Sequence, residues 1–314
     1  MRLYFVSGTL ALAMVLFGQT IAVFAQSQPA EYRLEPDWAQ LPAGVEAWGQ
    51  TIGVEIDREG YLWVFHRCFD SNCIERDMVP PILKYAPTGV LVDSWGEDTF
   101  IWPHGFFIDT DGNIWTTDAR GENGKGHQVI KFSPDGRVLM TLGTAGVAGN
   151  GRDTFDGPAD VVVGPAGNIF VADGHGNNRV VKFSNDGEFL KEWGGPGTGP
   201  GEFDEPHCLA FDSQGRLFVG DRVNERIQIF DQDGTYIDEW RGIMASGIYI
   251  TDDDTVYVAD YQLRKGIVIA HAQDFNASGF IPEAQAEGVT VDFDGNVYAG
   301  EVSSRNLKKF VRRP

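Results

Sequence analysis

GVEIDREGYLWVFHR (53–67) reads as an apolar strand ending in Asp57, a tight turn carrying Gly60, and a second apolar strand. The phrase returns as GFFIDTDGNIWTTDA (105–119), DVVVGPAGNIFVADG (160–174), CLAFDSQGRLFVGDR (208–222), GIYITDDDTVYVADY (247–261) and GVTVDFDGNVYAGEV (288–302). The turn positions are Gly60, Gly112, Gly167, Gly215, Asp254 and Gly295. Their spacing of roughly forty to fifty residues is that of propeller blades. A second phrase follows most copies, as in ILKYAPTGVLVDSWG (82–96), VIKFSPDGRVLMTLG (129–143), VVKFSNDGEFLKEWG (180–194) and IQIFDQDGTYIDEW (227–240). Each adds two alternating strands around a turn with glycine. Four strands in each of six copies predict an all-β, six-bladed β-propeller. The sixth copy stops at LKKF (307–310), short of its outer strand. An open ring would expose unpaired strand edges. The extended stretch from Tyr32 to Trp38 is therefore expected to supply that strand and close the ring.

The chain opens with Arg2, an almost wholly apolar run from Leu3 to Phe17, and Val23-Phe24-Ala25 as a small-residue cleavage site. Residues 1–25 are expected to be an export signal and 26–314 the propeller, placing the protein outside the cell or in a periplasm. A transmembrane anchor is the competing reading. Polar Gly18-Gln19-Thr20 interrupts the run and favours the signal. The formal net charge of −20 becomes −21 without residues 1–25, whose only charge is Arg2. A field of that sign repels phosphate backbones and anionic lipid, so no nucleic-acid or membrane partner is expected. The expected partner is a small molecule or peptide, and the expected state a monomer. Cys68 and Cys73 could close a small disulfide loop or stay as free thiols, and Cys208 stands apart.

In a propeller the first strand of each blade lies nearest the axis, and the residues just before it sit at one mouth of the channel. Aligning the copies puts Ile52, His104, Ala159, His207, Ser246 and Glu287 in equivalent places. His104, His207 and Glu287 belong to alternate blades, so they converge on the axis. Two imidazoles and a carboxylate form a ligand set used by catalytic zinc, and one that suits other divalent transition metals. The plainer reading is that Pro-His-Gly and Pro-His-Cys are turns whose histidines bond to loops. Asp118, Asp173, Asp221 and Asp260 close second strands and read as caps of the next loop. Arg67 and Arg222 are not required by the repeat. They suit recognition of a carboxylate by paired N–H donors, or ion pairs with neighbouring acids.

VFHR (64–67), WPHGFFID (102–109), HQVIKF (127–132), VADGHGNNRVVKF (171–183), EPHCLAFD (205–212) and VGDRVNERIQIF (219–230) carry a resemblance. Across about residues 45–310 the chain resembles NHL-repeat propellers, and in particular the lyase domain of peptidylglycine α-amidating enzymes and its bacterial relatives. The resemblance implies cleavage of a peptidyl-α-hydroxyglycine to a peptide amide and glyoxylate. It implies zinc on three histidines of alternate blades, two of them matching His104 and His207, and calcium on the axis. It also implies that Arg67 and Arg222 are the family's arginines. Two positions depart. The third zinc histidine, in a Pro-His-Asp context, is replaced by Ala286-Glu287-Gly288, and the family's catalytic tyrosine by His175. The expected mechanism is thus a metal-dependent, lyase-like reaction on a small hydroxylated carboxylate or amide. Zinc sits on His104, His207 and Glu287, His175 is the base, and Arg67 and Arg222 hold the carboxylate. The alternatives are a non-catalytic propeller that binds a protein, peptide or glycan, and a gluconolactonase-type enzyme. The Pro-His-Gly and Pro-His-Cys motifs argue against the latter.

Overall fold

The computed structural model describes residues 32–313. The export-signal expectation for residues 1–25 lies outside them. The described residues form 24 strands in six antiparallel four-stranded sheets, a six-bladed propeller without helices. No helix among them is long and apolar enough to cross a membrane.

The repeated phrase has a local cause. Asp57 ends the first strand of blade one and accepts N–H bonds from Glu59 and Tyr61 in the turn, and from the Trp63 indole at 2.8 Å. Asp109 does the same for Asp111, Asn113 and Trp115. The carboxylate thus ties the turn to the second strand. The residue closing the turn has φ of 62–85°, a region that favours glycine. Asp254 alone adopts it with a side chain, and its carboxylate is engaged by the Ser213 N–H and hydroxyl.

The second strands, such as Leu62–His66, Ile169–Asp173 and Leu217–Asp221, are buried along their whole length. They lie between neighbouring blades, so both faces are apolar. The outer strands, such as Phe189–Gly194, are largely exposed. The core is correspondingly a series of clusters between blades; one gathers Trp63, Phe65, Phe100, Phe106 and Phe132 from blades one and two.

The ring closes as expected. Tyr32–Glu35 pairs antiparallel with Asn306–Arg312, completing the sheet of blade six. Just after it, Trp38 packs against Tyr85 of blade one and Tyr298 of blade six. One aromatic side chain therefore joins the first blade to the last.

Cys68 and Cys73 form a disulfide with Cα atoms 5.1 Å apart, whereas Cys208 is free and buried. The bridge follows a sharp turn in which Cys68 and Phe69 both have positive φ. Before it, blade one ends its second strand with His66 where four other blades have Asp. His66 is fully buried against Trp48 and Phe69. Its Nε2–H donates to the Pro80 carbonyl at 3.1 Å, and its Nδ1 accepts the Phe69 N–H at 3.0 Å. The neutral ring is satisfied, and burial pushes its pKa from 6.5 down to about 3.

A folded-state value below the unfolded one means that the unfolded chain takes up a proton the native chain refuses. Stability is therefore lost as pH falls from 6.5 towards 3, by up to about 1.4 kcal/mol per unit. Denaturant unfolding at pH 7 and pH 4.5 is expected to show a drop about 2–3 kcal/mol larger for the wild type than for His66→Gln. Equal drops would mean that His66 is already charged in the native protein.

Candidate metal centre

Each innermost strand is bulged at the mouth. Pairing jumps from Thr51 to Gly53, Pro103 to Phe106, Pro158 to Asp160, Pro206 to Cys208, Ala245 to Gly247 and Ala286 to Gly288. The skipped positions include the six residues aligned from the repeat. A bulged residue has no cross-strand partner, so its side chain is re-aimed. In blades two and four the bulged residue is a histidine, and the neighbouring blade's bulge holds it. His104 Nδ1 lies 2.7 Å from the Ala159 carbonyl, and His207 Nδ1 lies 2.9 Å from the Ser246 carbonyl. A carbonyl only accepts, so both Nδ1 atoms carry the proton and both Nε2 atoms present a lone pair. Burial, with nearby positive groups, holds both imidazoles well below their ordinary pKa range.

A third imidazole joins them. His175 sits in the Gly174-His175-Gly176 loop of blade three, and its Nε2 lies 2.8 Å from His104 Nε2. The loop runs so close to its neighbours that a side-chain carbon at residue 174 would meet the Pro206 carbonyl oxygen at 1.9 Å. One at residue 176 would meet the Asp156 carboxylate carbon at 2.3 Å. The two glycines thus permit the approach. His175 Nδ1 faces Glu205 Oε1 at 3.0 Å. One nitrogen from each of His104, His175 and His207 lies within 4.8 Å of the other two.

The sequence reading puts Glu287 at the third corner and makes His175 the base. The structure brings His104 and His207 together as expected, but the third nitrogen in the group is that of His175. Glu287 stands aside, its Oε1 3.6 Å from both His207 Nε2 and Arg222 Nη1. It shares that guanidinium with Glu205, 3.4 Å away. Its other oxygen, Oε2, is buried without a hydrogen bond, as is His207 Nε2; Ser246 Oγ faces Glu287 without reaching bonding geometry. Burial raises the Glu287 pKa, and the two arginines oppose the rise.

The arginines differ. Arg222 takes the ion-pair reading, between Glu205 and Glu287. Arg67 has no carboxylate within ion-pair distance among the described residues. Its Nε donates to the Pro103 carbonyl at 3.0 Å and its Nη1 to Gln50 at 2.6 Å. Its guanidinium lies 3.6 Å from the centre of the Trp102 ring. Burial pushes its pKa down to about 9, which leaves it charged at neutral pH. The four aspartates are caps: Asp118 accepts the Ile101 and Trp102 N–H groups, Asp173 that of Asp156, Asp221 that of Asp204, and Asp260 that of Leu263.

The repeat alignment missed Trp102 and Glu205. Both immediately precede a Pro-His pair, at equivalent places in alternate blades. Trp102 walls the site, its ring centre 5.2 Å from that of His104 and 5.4 Å from that of His175. Glu205 joins His175 to Arg222.

A ring of six bulged blades with a histidine cluster at one mouth defines an axial-site β-propeller. An NHL repeat model matches residues 155–183 and 203–230, within blades three and four. NHL repeat-containing protein 3 of Homo sapiens is 31% identical over 95% of this chain and 89% of that protein. Peptidyl-alpha-hydroxyglycine alpha-amidating lyase 1 of Drosophila melanogaster is 30% identical over 87% of this chain and 59% of that protein. Peptidyl-glycine alpha-amidating monooxygenase B of Xenopus laevis is 31% identical over 90% of this chain, which spans 36% of its length. A gluconolactonase structure from Xanthomonas campestris superposes with a TM-score of 0.63 at 16% identity, covering 84% of this chain and 86% of that one, a likeness of fold alone. The chain belongs to the NHL-repeat propeller family that includes NHL repeat-containing protein 3, and it is homologous to the amidating lyases.

Proposed function

We propose that this chain is an exported, metal-dependent carbon–nitrogen lyase. Its substrate is a peptidyl-α-hydroxyglycine or a small hydroxylated carboxylate of that kind, split into an amide and an α-oxo acid. The reading rests on three imidazoles that bring one nitrogen each within 4.8 Å of the others while each Nδ1 lies against an oxygen acceptor. Metal-ligating histidines are held in this way. The buried His207 Nε2 lacks a partner that an ion would supply. The residues fit zinc, or another divalent transition metal, on His104, His175 and His207. Such an ion supplies Lewis acidity that lowers the pKa of the substrate hydroxyl.

The chain's own groups do the rest. Arg67, without an acid of its own, takes the substrate carboxylate. Glu287 accepts the hydroxyl proton on its unpartnered oxygen. The roles read from sequence for Glu287 and His175 are thereby exchanged. As the C–O bond becomes C=O, the C–N bond breaks and its electron pair stays on nitrogen, which then takes a proton. Arg222 holds Glu287 and Glu205 in place. Calcium on the axis is part of the proposal. Glu55 and Asp160 line the channel half-buried, where desolvation raises the pKa of both and Asp160 raises that of Glu55 further. Hard oxygen donors of this kind suit calcium. Export is supported by the N-terminal apolar run and the Cys68–Cys73 bridge.

N-benzoyl-α-hydroxyglycine incubated with the mature chain is expected to yield benzamide and glyoxylate in equal amounts. The rate should vanish on chelation and return with added zinc. Metal binding without turnover would instead favour a non-catalytic binding propeller, which the missing Pro-His-Asp motif at 286–288 also suits.

A further inference from the structure

Trp102 carries two guanidiniums. Arg67 lies 3.6 Å from its ring centre and Arg120 lies 4.1 Å from it. Neither arginine has a carboxylate within ion-pair distance among the described residues. The two like charges are close enough that Arg120 lowers the Arg67 pKa. The acids nearest in sequence are used elsewhere: Asp118 caps backbone N–H groups, and Glu122 is bonded by Asn123. Glu287 and Asp118 act on Arg67 only from beyond ion-pair distance, and the exposed Arg120 has no acid paired with it among the described residues, so the pair is a local reversal of field in a chain of net charge −20. That field repels anions, so an anionic ligand needs such a reversal at its point of entry.

The two arginines also differ in depth. Arg67 is buried and Arg120 is exposed. They share one indole, which itself packs against His104 and His175. The inner guanidinium therefore faces the reacting end of a bound molecule, and the outer one faces whatever trails towards solvent. Arginine held on an aromatic face keeps its planar donor fork oriented for carboxylate.

We propose that Trp102 and Arg120 form a second anion-recognition position at the mouth, so that preferred substrates carry a further carboxylate on the acyl side of the hydroxyglycine. The inference deepens the lyase reading and rests on it for the orientation of the substrate. The class is an acidic peptide or a dicarboxylic acyl group. The first carboxylate is taken inside by Arg67 and the second at the rim by Arg120.

Calorimetric titration with N-acetylglycine, which has one carboxylate, and N-succinylglycine, which has two, tests this. The metal-loaded wild type is expected to bind N-succinylglycine about tenfold more tightly at low salt, a difference of about 1.4 kcal/mol. The preference should shrink as salt is raised, because the outer pair is exposed. Arg120→Gln should bring the ratio to about one without changing N-acetylglycine binding or thermal stability; Arg120→Lys should keep part of the preference. A ratio of one in the wild type, a ratio untouched by Arg120→Gln, or no binding of either compound overturns the proposal. Neither compound carries the reacting hydroxyl. A dianion preference without turnover of N-benzoyl-α-hydroxyglycine would remove the lyase reading and keep the subsite; turnover without the preference would do the reverse.

Discussion

Replacing His104 and His207 together with alanine is expected to take bound transition metal from about one ion per chain to none, with lyase turnover lost as well. The fold should survive. The two imidazoles are buried polar groups with a ring nitrogen of each in a shared space, and His207 Nε2 has no hydrogen-bond partner within the protein. Removing them gives up the two Nδ1–H bonds to the Ala159 and Ser246 carbonyls and relieves one unsatisfied atom, with no loss from the apolar clusters between blades. Elemental analysis after dialysis, with far-ultraviolet circular dichroism on the same samples, separates the two effects.

The single variants assign the third corner. His175→Ala should lose metal nearly as completely as the double variant. Glu205→Gln should weaken metal binding by about ten- to a hundredfold, because Glu205 Oε1 holds His175 Nδ1 from behind at 3.0 Å. Glu287→Gln should keep the metal and lose turnover. Metal lost with Glu287→Gln and retained with His175→Ala would return Glu287 to the ligand set. Chelator competition gives each dissociation constant without reference to activity.

Arg226→Ala is expected to lower stability by about 3–5 kcal/mol, enough to unfold many domains of ordinary stability. Arg226 is fully buried between blade four and the loop that leads into it. Its Nε donates to Asp221 at 2.6 Å, and its Nη1 to Glu239 at 2.9 Å. Its remaining hydrogens reach the carbonyls of Thr198, Gly199 and Glu202. Alanine leaves the Thr198 carbonyl without its donor, takes one of two donors from the Gly199 and Glu202 carbonyls, and leaves Asp221 buried without its cation. Burial already raises the Asp221 pKa despite the pairing, so the acid depends on this partner. Combining Arg226→Ala with Asp221→Asn should cost less than the two changes summed, since no charge is then stranded. Equilibrium unfolding in guanidinium measures both. Blade three repeats the device with Arg179, Asp173 and Glu192. The aspartates closing second strands thus act as anchors for the loops that shape the mouth.

The repeat made the fold legible. Alternating apolar residues and a residue able to take positive φ within the turn are local requirements of a hairpin that every blade states again, and four of the six add an Asp before the turn, Gly164 and Thr251 standing there in blades three and five. The missing outer strand of blade six was equally visible, because a closed ring forbids an unpaired edge. His104 and His207 could be placed because equivalent positions in a repeat become equivalent positions around an axis. The Cys68–Cys73 pairing was not decided, because spacing does not set the direction of two Cβ atoms.

The third imidazole of the cluster was hidden for a different reason. Glu287 occupies the repeat-equivalent place, and symmetry alone points to it. Where its carboxylate goes depends on Arg222 and Glu205, which come from blade four. His175 occupies no such place in the repeat. It reaches the cluster because two glycines let its loop lie against Pro206 and Asp156, contacts between distant segments. Sequence determined the blades, their number and the two symmetric histidines, since these follow from local pattern multiplied by rotation. Only the packed molecule decided which third side chain meets them, since that choice is made by neighbours that no periodicity brings together.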